Sequence, residues 1–210
     1  MTVLTTVVSR PVNGRAAAAV EQLKQLQQTA LDSGAERAAA SRVITGPNVG
    51  TLQLRIFTES LTHAGEVSSK MWGSDVYRSS ADNNSPPAEL TGVLRSTVLH
   101  FAAPRIAADV VPPIGTVLGI KPHPGRIAEI EDRCAAWSDL WVEAGAMQSF
   151  VTSAFTGTAG SALFVTAVYD SWAALDAAMG HAANSELMRS QRASSDPAGE
   201  VFARFQVAAV

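Results

Sequence analysis

Apolar positions change their period along this chain, and each change marks an element. Residues 3–9 are a short β-branched run, stopped by Arg10-Pro11 and Asn13-Gly14. From Gly14 to Ser33 the apolar residues Ala16, Ala19, Val20, Leu23, Leu26 and Ala30 recur at helical spacing. Gly34 then stops that helix as a residue with left-handed backbone. Residues 35–44 and 51–57 read as two strands joined through Thr45-Gly46-Pro47-Asn48. Leu52, Leu54 and Ile56 alternate with Thr51, Gln53 and Arg55, so the two sets face opposite sides of a sheet. The apolar set is expected to face helices. Ser60 is a fitting N-cap for a second helix that runs to about Ser79. A polar loop, Asp82-Asn83-Asn84-Ser85-Pro86-Pro87, precedes a closing strand at 93–101.

The chain then says the same thing again. Residues 10–79, moved forward by 111 positions, lie on 121–190 without a gap. Pro11, Gly14, Arg15 and Ala17 meet Pro122, Gly125, Arg126 and Ala128; Gly34 and Ala35 meet Gly145 and Ala146; Thr45-Gly46 meets Thr156-Gly157. Leu52 meets Leu163, Ser60 meets Ser171, and Ser74, Arg78 and Ser79 meet Ser185, Arg189 and Ser190. These matches fall at turns and caps, where backbone geometry dictates residue type. In the second copy Ile127, Ile130, Cys134, Trp137 and Trp141 form the helical stripe. Strands at 146–155 and 162–169, a helix from Ser171 and a strand at 201–207 follow, with a shorter loop through Ser194-Ser195-Asp196-Pro197. Residues 102–114, with Pro104, Pro112 and Pro113, read as a linker. The order strand, helix, strand, strand, helix, strand predicts α+β architecture: ferredoxin-like repeats at 1–101 and 115–210, each an antiparallel sheet with helices on one face. The bare face of each sheet needs a cover. The other copy supplies it if the two close an intramolecular barrel.

Composition removes several classes of function. Hydrophobic residues at 47% and charged residues at 17% describe a folded globular chain. A net charge of −3, with no basic stripe, argues against nucleic acid as a partner. No apolar run reaches transmembrane length, and residues 1–8 lack the form of a signal peptide. The single cysteine, Cys134, precludes an intramolecular disulfide and any cysteine-clustered metal site, and fits a reducing cytoplasm.

The third strand of the second copy runs into its helix as Tyr169-Asp-Ser171-Trp172-Ala-Ala-Leu175-Asp-Ala-Ala178-Met-Gly-His181-Ala-Ala-Asn184-Ser185. An aromatic residue, a Ser cap, an apolar helix and a His before a Ser-containing turn resemble antibiotic-biosynthesis monooxygenase-like domains of the dimeric α+β barrel superfamily, which also holds EthD-like, NIPSNAP-like and chlorite-dismutase-like proteins. His181 stands about one helical turn later than that pattern, and the first copy has Ser74 but no histidine there. The resemblance implies a tandem pseudo-dimer with no required cofactor. It covers nearly the whole chain as topology, but a shared fold does not carry shared chemistry.

Strand alternation is expected to send Arg37, Ser41, Gln53, Arg55, Arg95 and Thr97 of the first copy into the barrel. It sends Gln148, Phe150, Thr152, Phe164, Thr166, Arg204 and Gln206 of the second there too, with Arg95 and Arg204 read as counterparts. Arginines aimed into a partly apolar barrel attract a carboxylate, enolate or phenolate. In the competing reading they pair with Glu36, Glu59 or an acid of a partner, or face solvent on an incompletely closed sheet. Among the four histidines, His63, His100, His123 and His181, no two have metal-ligand spacing. His181, on a helix near the expected pocket, is the candidate base or haem ligand; the alternative is an exposed or packed helical histidine. Trp72 is either an aromatic wall for a flat substrate, as the resemblance implies, or a core or interface filler. Neither a phosphate-binding Gly-rich loop nor a nucleophile elbow occurs.

Two classes of function stay open. One is a cofactor-free monooxygenase or isomerase acting on a small aromatic or enolizable anion, with Arg55, Trp72, Arg95, Phe150, Phe164 and Arg204 as its binding residues. The other is a non-catalytic ligand-binding or structural barrel. A haem enzyme is a third. No membrane or nucleic-acid partner is expected, and the chain is a monomeric pseudo-dimer or a homodimer.

Overall fold

The computed structural model describes residues 1–82, 86–102, 106–107, 110–157, 161–193 and 195–210. Asn83-Asn84-Ser85, Pro104, Thr158-Ala159-Gly160 and Ser194, read above as loop and linker positions, lie outside them.

The first half runs β1 (Val3–Pro11), α1 (Ala16–Asp32), β2 (Arg37–Val43), β3 (Leu52–Thr58), α2 (Leu61–Trp72), α3 (Asp75–Asp82) and β4 (Ala88–Ala102). The second repeats that order as β5 (Ile114–Pro122), α4 (Ile127–Glu143), β6 (Gln148–Ala154), β7 (Leu163–Tyr169), α5 (Trp172–Ala183), α6 (Glu186–Ala193) and β8 (Gly199–Ala209). All neighbouring strands are antiparallel. They close into one eight-stranded barrel in the order β1-β3-β2-β8-β5-β7-β6-β4. The fold is therefore a ferredoxin-like pair in a single chain. The two halves close on each other because β4 joins β6 and β8 joins β2.

The single long helix expected after Ser60 and after Ser171 is two helices in each half. Ser74 Oγ accepts from the Tyr77 backbone N–H at 3.2 Å, and Ser185 Oγ accepts from that of Met188 at 3.2 Å. Each serine caps a new helix whose first turn carries an acid, Asp75 or Glu186. The breaks thus follow from local capping chemistry. Ser60 and Ser171 cap α2 and α5 as the sequence predicts.

The helices coat the outside of the barrel. On the first half, Ala19, Leu23 and Ala30 of α1 pack on Ala38, Ala40, Leu52, Leu54 and Ile56. On the second, Ile130, Cys134 and Trp137 of α4 pack on Ile120, Val151, Leu163 and Val165. Burial pushes the Cys134 thiol up to about 12, so it is a packing group rather than a nucleophile. Among the described residues no helix is long and apolar enough to cross a membrane.

Both long helices end in the same way. Ala35 N–H donates to Ala30 C=O at 3.0 Å and Gly34 N–H to Leu31 C=O at 2.9 Å. Ala146 and Gly145 make the same pair of bonds to Trp141 and Val142. Gly145 takes φ +106°, a left-handed value that any Cβ opposes.

Gly46 has a different duty. Its loop crosses from the first half to β8: Ile44 N–H donates to Gln206 C=O at 2.9 Å, and Gln206 N–H donates to Thr45 Oγ1 at 3.0 Å. Thr156 repeats the device on β4, accepting from Arg95 N–H at 2.9 Å while Phe155 N–H donates to Arg95 C=O at 3.0 Å. A Cβ on Gly46 would run into the Arg204 carbonyl and would lie 2.9 Å from Phe205 Cβ, whereas one on Gly145 meets nothing. Gly145→Ala is therefore expected to lose about 1 kcal/mol, the backbone cost alone. Gly46→Ala should lose at least about 2 kcal/mol, because backbone atoms of the seam must also move. Urea unfolding of both variants checks this, and equal losses would remove the seam from the account.

Candidate functional site

The barrel interior is settled by register. Arg37 pairs with Phe57, Ala39 with Arg55 and Ser41 with Gln53, so these six side chains share the inward face of β2 and β3. Across the barrel, Gln148, Phe150 and Thr152 of β6 share that inner space with Phe164, Thr166 and Val168 of β7. Arg37 and Gln148 stand 111 positions apart in sequence and touch, Nη1 donating to Oε1 at 3.3 Å. Equivalent positions of the two halves thus meet near the barrel axis.

Beneath that pair is a cavity of about 60 Å³ whose wall includes Ser41, Arg55, Phe57, Phe150, Gln148 and Val207. Val111 and Pro112, from the stretch between the halves, help to roof it. Arg37 Nη2 donates to the Val110 carbonyl at 2.7 Å and so ties that stretch down. Outside lies a vestibule of about 210 Å³ lined by Thr2, Glu36, Arg37, Phe57, Phe101, Ile106 and Gln148. The two spaces share Arg37, Phe57 and Gln148 as a common wall. Phe150 meets Phe57 edge-on at 5.6 Å between centroids and Phe101 at 5.8 Å, giving the site one continuous aromatic side.

Two polar groups in the cavity are underserved. Arg55 Nη2 donates to Gln53 Oε1 at 3.0 Å, and among the described residues Arg55 makes no ion pair. Desolvation alone holds its guanidinium down to about 10, below its ordinary value. Arginine stays charged at neutral pH, so the shift expresses an unpaid cost of burying charge. Ser41 Oγ is buried, at 8% exposure for the residue, and has no hydrogen-bond partner among the described residues. Burial also lowers Arg37, whose partners are neutral oxygens.

The remaining expected site residues lie elsewhere. Arg95 pairs with Thr5, between Val3 and Val7 on the helix-facing side of β1, and Arg204 pairs with Leu118, which packs under α4. Both arginines, with Thr97 and Gln206, are therefore on the outer face. The counterpart of Arg95 is Gln206 and not Arg204, since those two share the Thr156 and Thr45 contacts. Alternation could not settle the face of β4 or β8, because each carries apolar and polar residues on both sides and each ladder slips at a bulge. Trp72 ends α2 outside the barrel, 57% exposed, and His181 is exposed in the last turn of α5; neither reaches the cavity. Phe164 points inward but at the other end, edge-on to Phe202 at 5.9 Å. Arg55 and Phe150 alone of the expected binding set line the cavity. Phe57 and Phe101 are not among the candidates the sequence offers: Phe57 reads as a strand end, and Phe101 comes inward only after the β4 bulge.

The residues do not fit a haem. No histidine lines either space. His100 Nε2 is 2.8 Å from Asp139 Oδ1, and His63 Nδ1 accepts from the Glu59 N–H at 3.3 Å. Among the described residues no group of three His, Cys, Asp or Glu side chains is placed to hold a metal ion.

Because Arg55 is charged without a counterion, its cost is present at neutral pH. The folded form binds fewer protons than the unfolded between pH about 10 and the ordinary guanidinium value, so this cost eases only as pH rises through that window. Arg55→Met is accordingly expected to stabilise the ligand-free protein at pH 7 by about 1–3 kcal/mol. Urea midpoints of the two proteins check it, and a less stable variant would show that Arg55 is a structural strut.

No protein-family model matches the sequence, and no curated protein sequence matches it. Solved structures do match in fold. A proposed monooxygenase of Fusobacterium nucleatum superposes with a TM-score of 0.67 at 9% identity, over 99% of this chain and 92% of that one. An anthrone oxidase-like protein gives 0.57 at 14% identity, over 98% and 90%. A variant chlorite dismutase of Candidatus Nitrospira defluvii gives 0.56 at 10%, over 100% and 91%. The likeness is one of architecture: the chain has the dimeric α+β barrel fold.

Proposed function

We propose that this chain is a tandem duplication, with repeats at residues 1–101 and 115–210, whose shared barrel binds a small organic anion. The observation that carries this reading is Arg55, a part-buried guanidinium without a counterion among the described residues, in a cavity that also holds Ser41, whose hydroxyl has no partner among them. An anion there offsets the desolvation of Arg55 and satisfies Ser41 in one step. Phe57 and Phe150 supply the apolar side against which an aromatic or branched body rests. Of the residues expected from sequence, Arg55 and Phe150 belong to this proposal.

The second reading is a cofactor-free monooxygenase or isomerase acting on an enolizable anion. Glu36, at the vestibule beside Arg37, favours it, since a carboxylate there is placed to take a proton from a carbon acid whose enolate faces arginine. Solved structures of the same fold include a proposed monooxygenase and an anthrone oxidase-like protein, which is support by analogy only.

Titration calorimetry with phenylpyruvate and phenylacetate, against the matching amides, tests the binding reading. The acids are expected to bind and the amides to bind at least about tenfold more weakly, with Arg55→Met losing the acids to a similar degree. Acids that bind Arg55→Met as well as the native protein would overturn it. Oxygen uptake or hydrogen–deuterium exchange at the phenylpyruvate methylene, lost in Glu36→Gln, distinguishes the enzyme from the binding protein.

A further inference from the structure

The two spaces of the barrel divide any ligand into a head and a body. The inner one, at about 60 Å³, holds a few waters or a carboxylate but not a ring; a dry cavity of about 150 Å³ is what benzene occupies. The vestibule, at about 210 Å³, is large enough for a ring and has the walls for one, Phe57, Phe101 and Ile106. Between them stand Arg37 and Gln148, joined at 3.3 Å and anchored to the Val110 carbonyl. Only a slender part of a ligand can lie beside that pair. The count of free donors is equally restrictive. Arg37 also lines the inner cavity but spends Nη1 on Gln148 and Nη2 on the Val110 carbonyl, so Arg55 is the arginine there with donors to spare for a ligand. One guanidinium fork and one hydroxyl match a planar, two-oxygen head.

Resting on the anion-binding reading above, we infer that the site is built for arylalkanoates: a carboxylate on Arg55 and Ser41 in the inner cavity, a one- or two-carbon spacer beside the Arg37–Gln148 pair, and an aromatic ring in the vestibule against Phe57 and Phe101. An acid whose ring bears the carboxylate directly is rejected, because its ring would have to enter the inner cavity. Arg37 and Gln148 thereby act as a length gauge, and they exist as a pair because the two halves of the barrel bring the same strand position to the axis.

Calorimetry on the full chain with acetate, benzoate, phenylacetate and 3-phenylpropionate reads this directly. Phenylacetate or 3-phenylpropionate is expected to bind at least about tenfold more tightly than both acetate and benzoate. Gln148→Ala opens the wall and should bring benzoate to within about threefold of 3-phenylpropionate. Phe101→Ala, which leaves the inner cavity alone, should weaken 3-phenylpropionate while acetate binds as before. Benzoate binding as tightly as 3-phenylpropionate, with both lost in Arg55→Met, would overturn the length gauge and leave the anion site standing. An unchanged ranking in Gln148→Ala together with no loss in Phe101→Ala would also overturn it. If none of the four acids binds, both the gauge and the anion site fall.

Discussion

The pairing of each half's last strand with the other half's second strand is the constraint on which this molecule rests. A ferredoxin-like unit covers one face of its sheet with helices and leaves the other bare. Here β4 crosses to β6 along six residue pairs and β8 crosses to β2 along three. The shorter seam is reinforced by the Thr45-Gly46 loop, which adds backbone and hydroxyl hydrogen bonds to β8. The bare faces then become one interior, and the sheet edges, which would otherwise invite association, are used up.

That closure also produces the site. Each half sends the same positions inward, so a symmetric interior would be the default outcome. The sequence breaks the symmetry at every level of the cavity: Arg37 faces Gln148, while Ala39 and Arg55 stand where the second half has Phe150 and Thr166. Both arginines come from the first half, whereas the aromatic wall takes Phe57 and Phe101 from that half and Phe150 from the other. Ala39 is small where Phe150 is large, which leaves room for the Phe150 ring beside Arg55. The result is a polarised chamber, with Arg55 and Ser41 set against apolar side chains. The stretch that makes the two halves one chain helps to roof it, through Val111 and Pro112.

A charged group buried without a counterion is costly, and stability alone gives no reason to keep one. Arg126, on the surface, shows the contrast: Glu129 and Asp196 surround it and hold its guanidinium above the ordinary value. Arg55 has a glutamine and an empty-handed serine hydroxyl. The difference between these two arginines is the reason the proposed site is placed in the barrel interior and not on the helical surface, where Trp72, Trp172 and His181 are exposed.

Much of this was open to reading from the sequence alone. The 111-residue echo, the Gly34 and Gly145 stops, the Ser60 and Ser171 caps and the alternation in 51–57 are all local signals, and local signals predict elements, their order and the inward set on β2, β3, β6 and β7. The Arg37, Ser41, Gln53, Arg55, Gln148 and Phe150 positions were legible for that reason. Tertiary structure alone decided the faces of β4 and β8. Those strands are not patterned by helices on one side and solvent on the other, so polarity does not report their orientation, and bulges near Val8, Val98 and Gly119 shift the count. Arg95 and Arg204 went outward and Phe101 came inward as a consequence. Only tertiary structure, too, could bring Arg37 to Gln148 across the axis and lay Val111 over the cavity, because contacts between distant segments depend on how the barrel closes and leave no periodic trace in either segment.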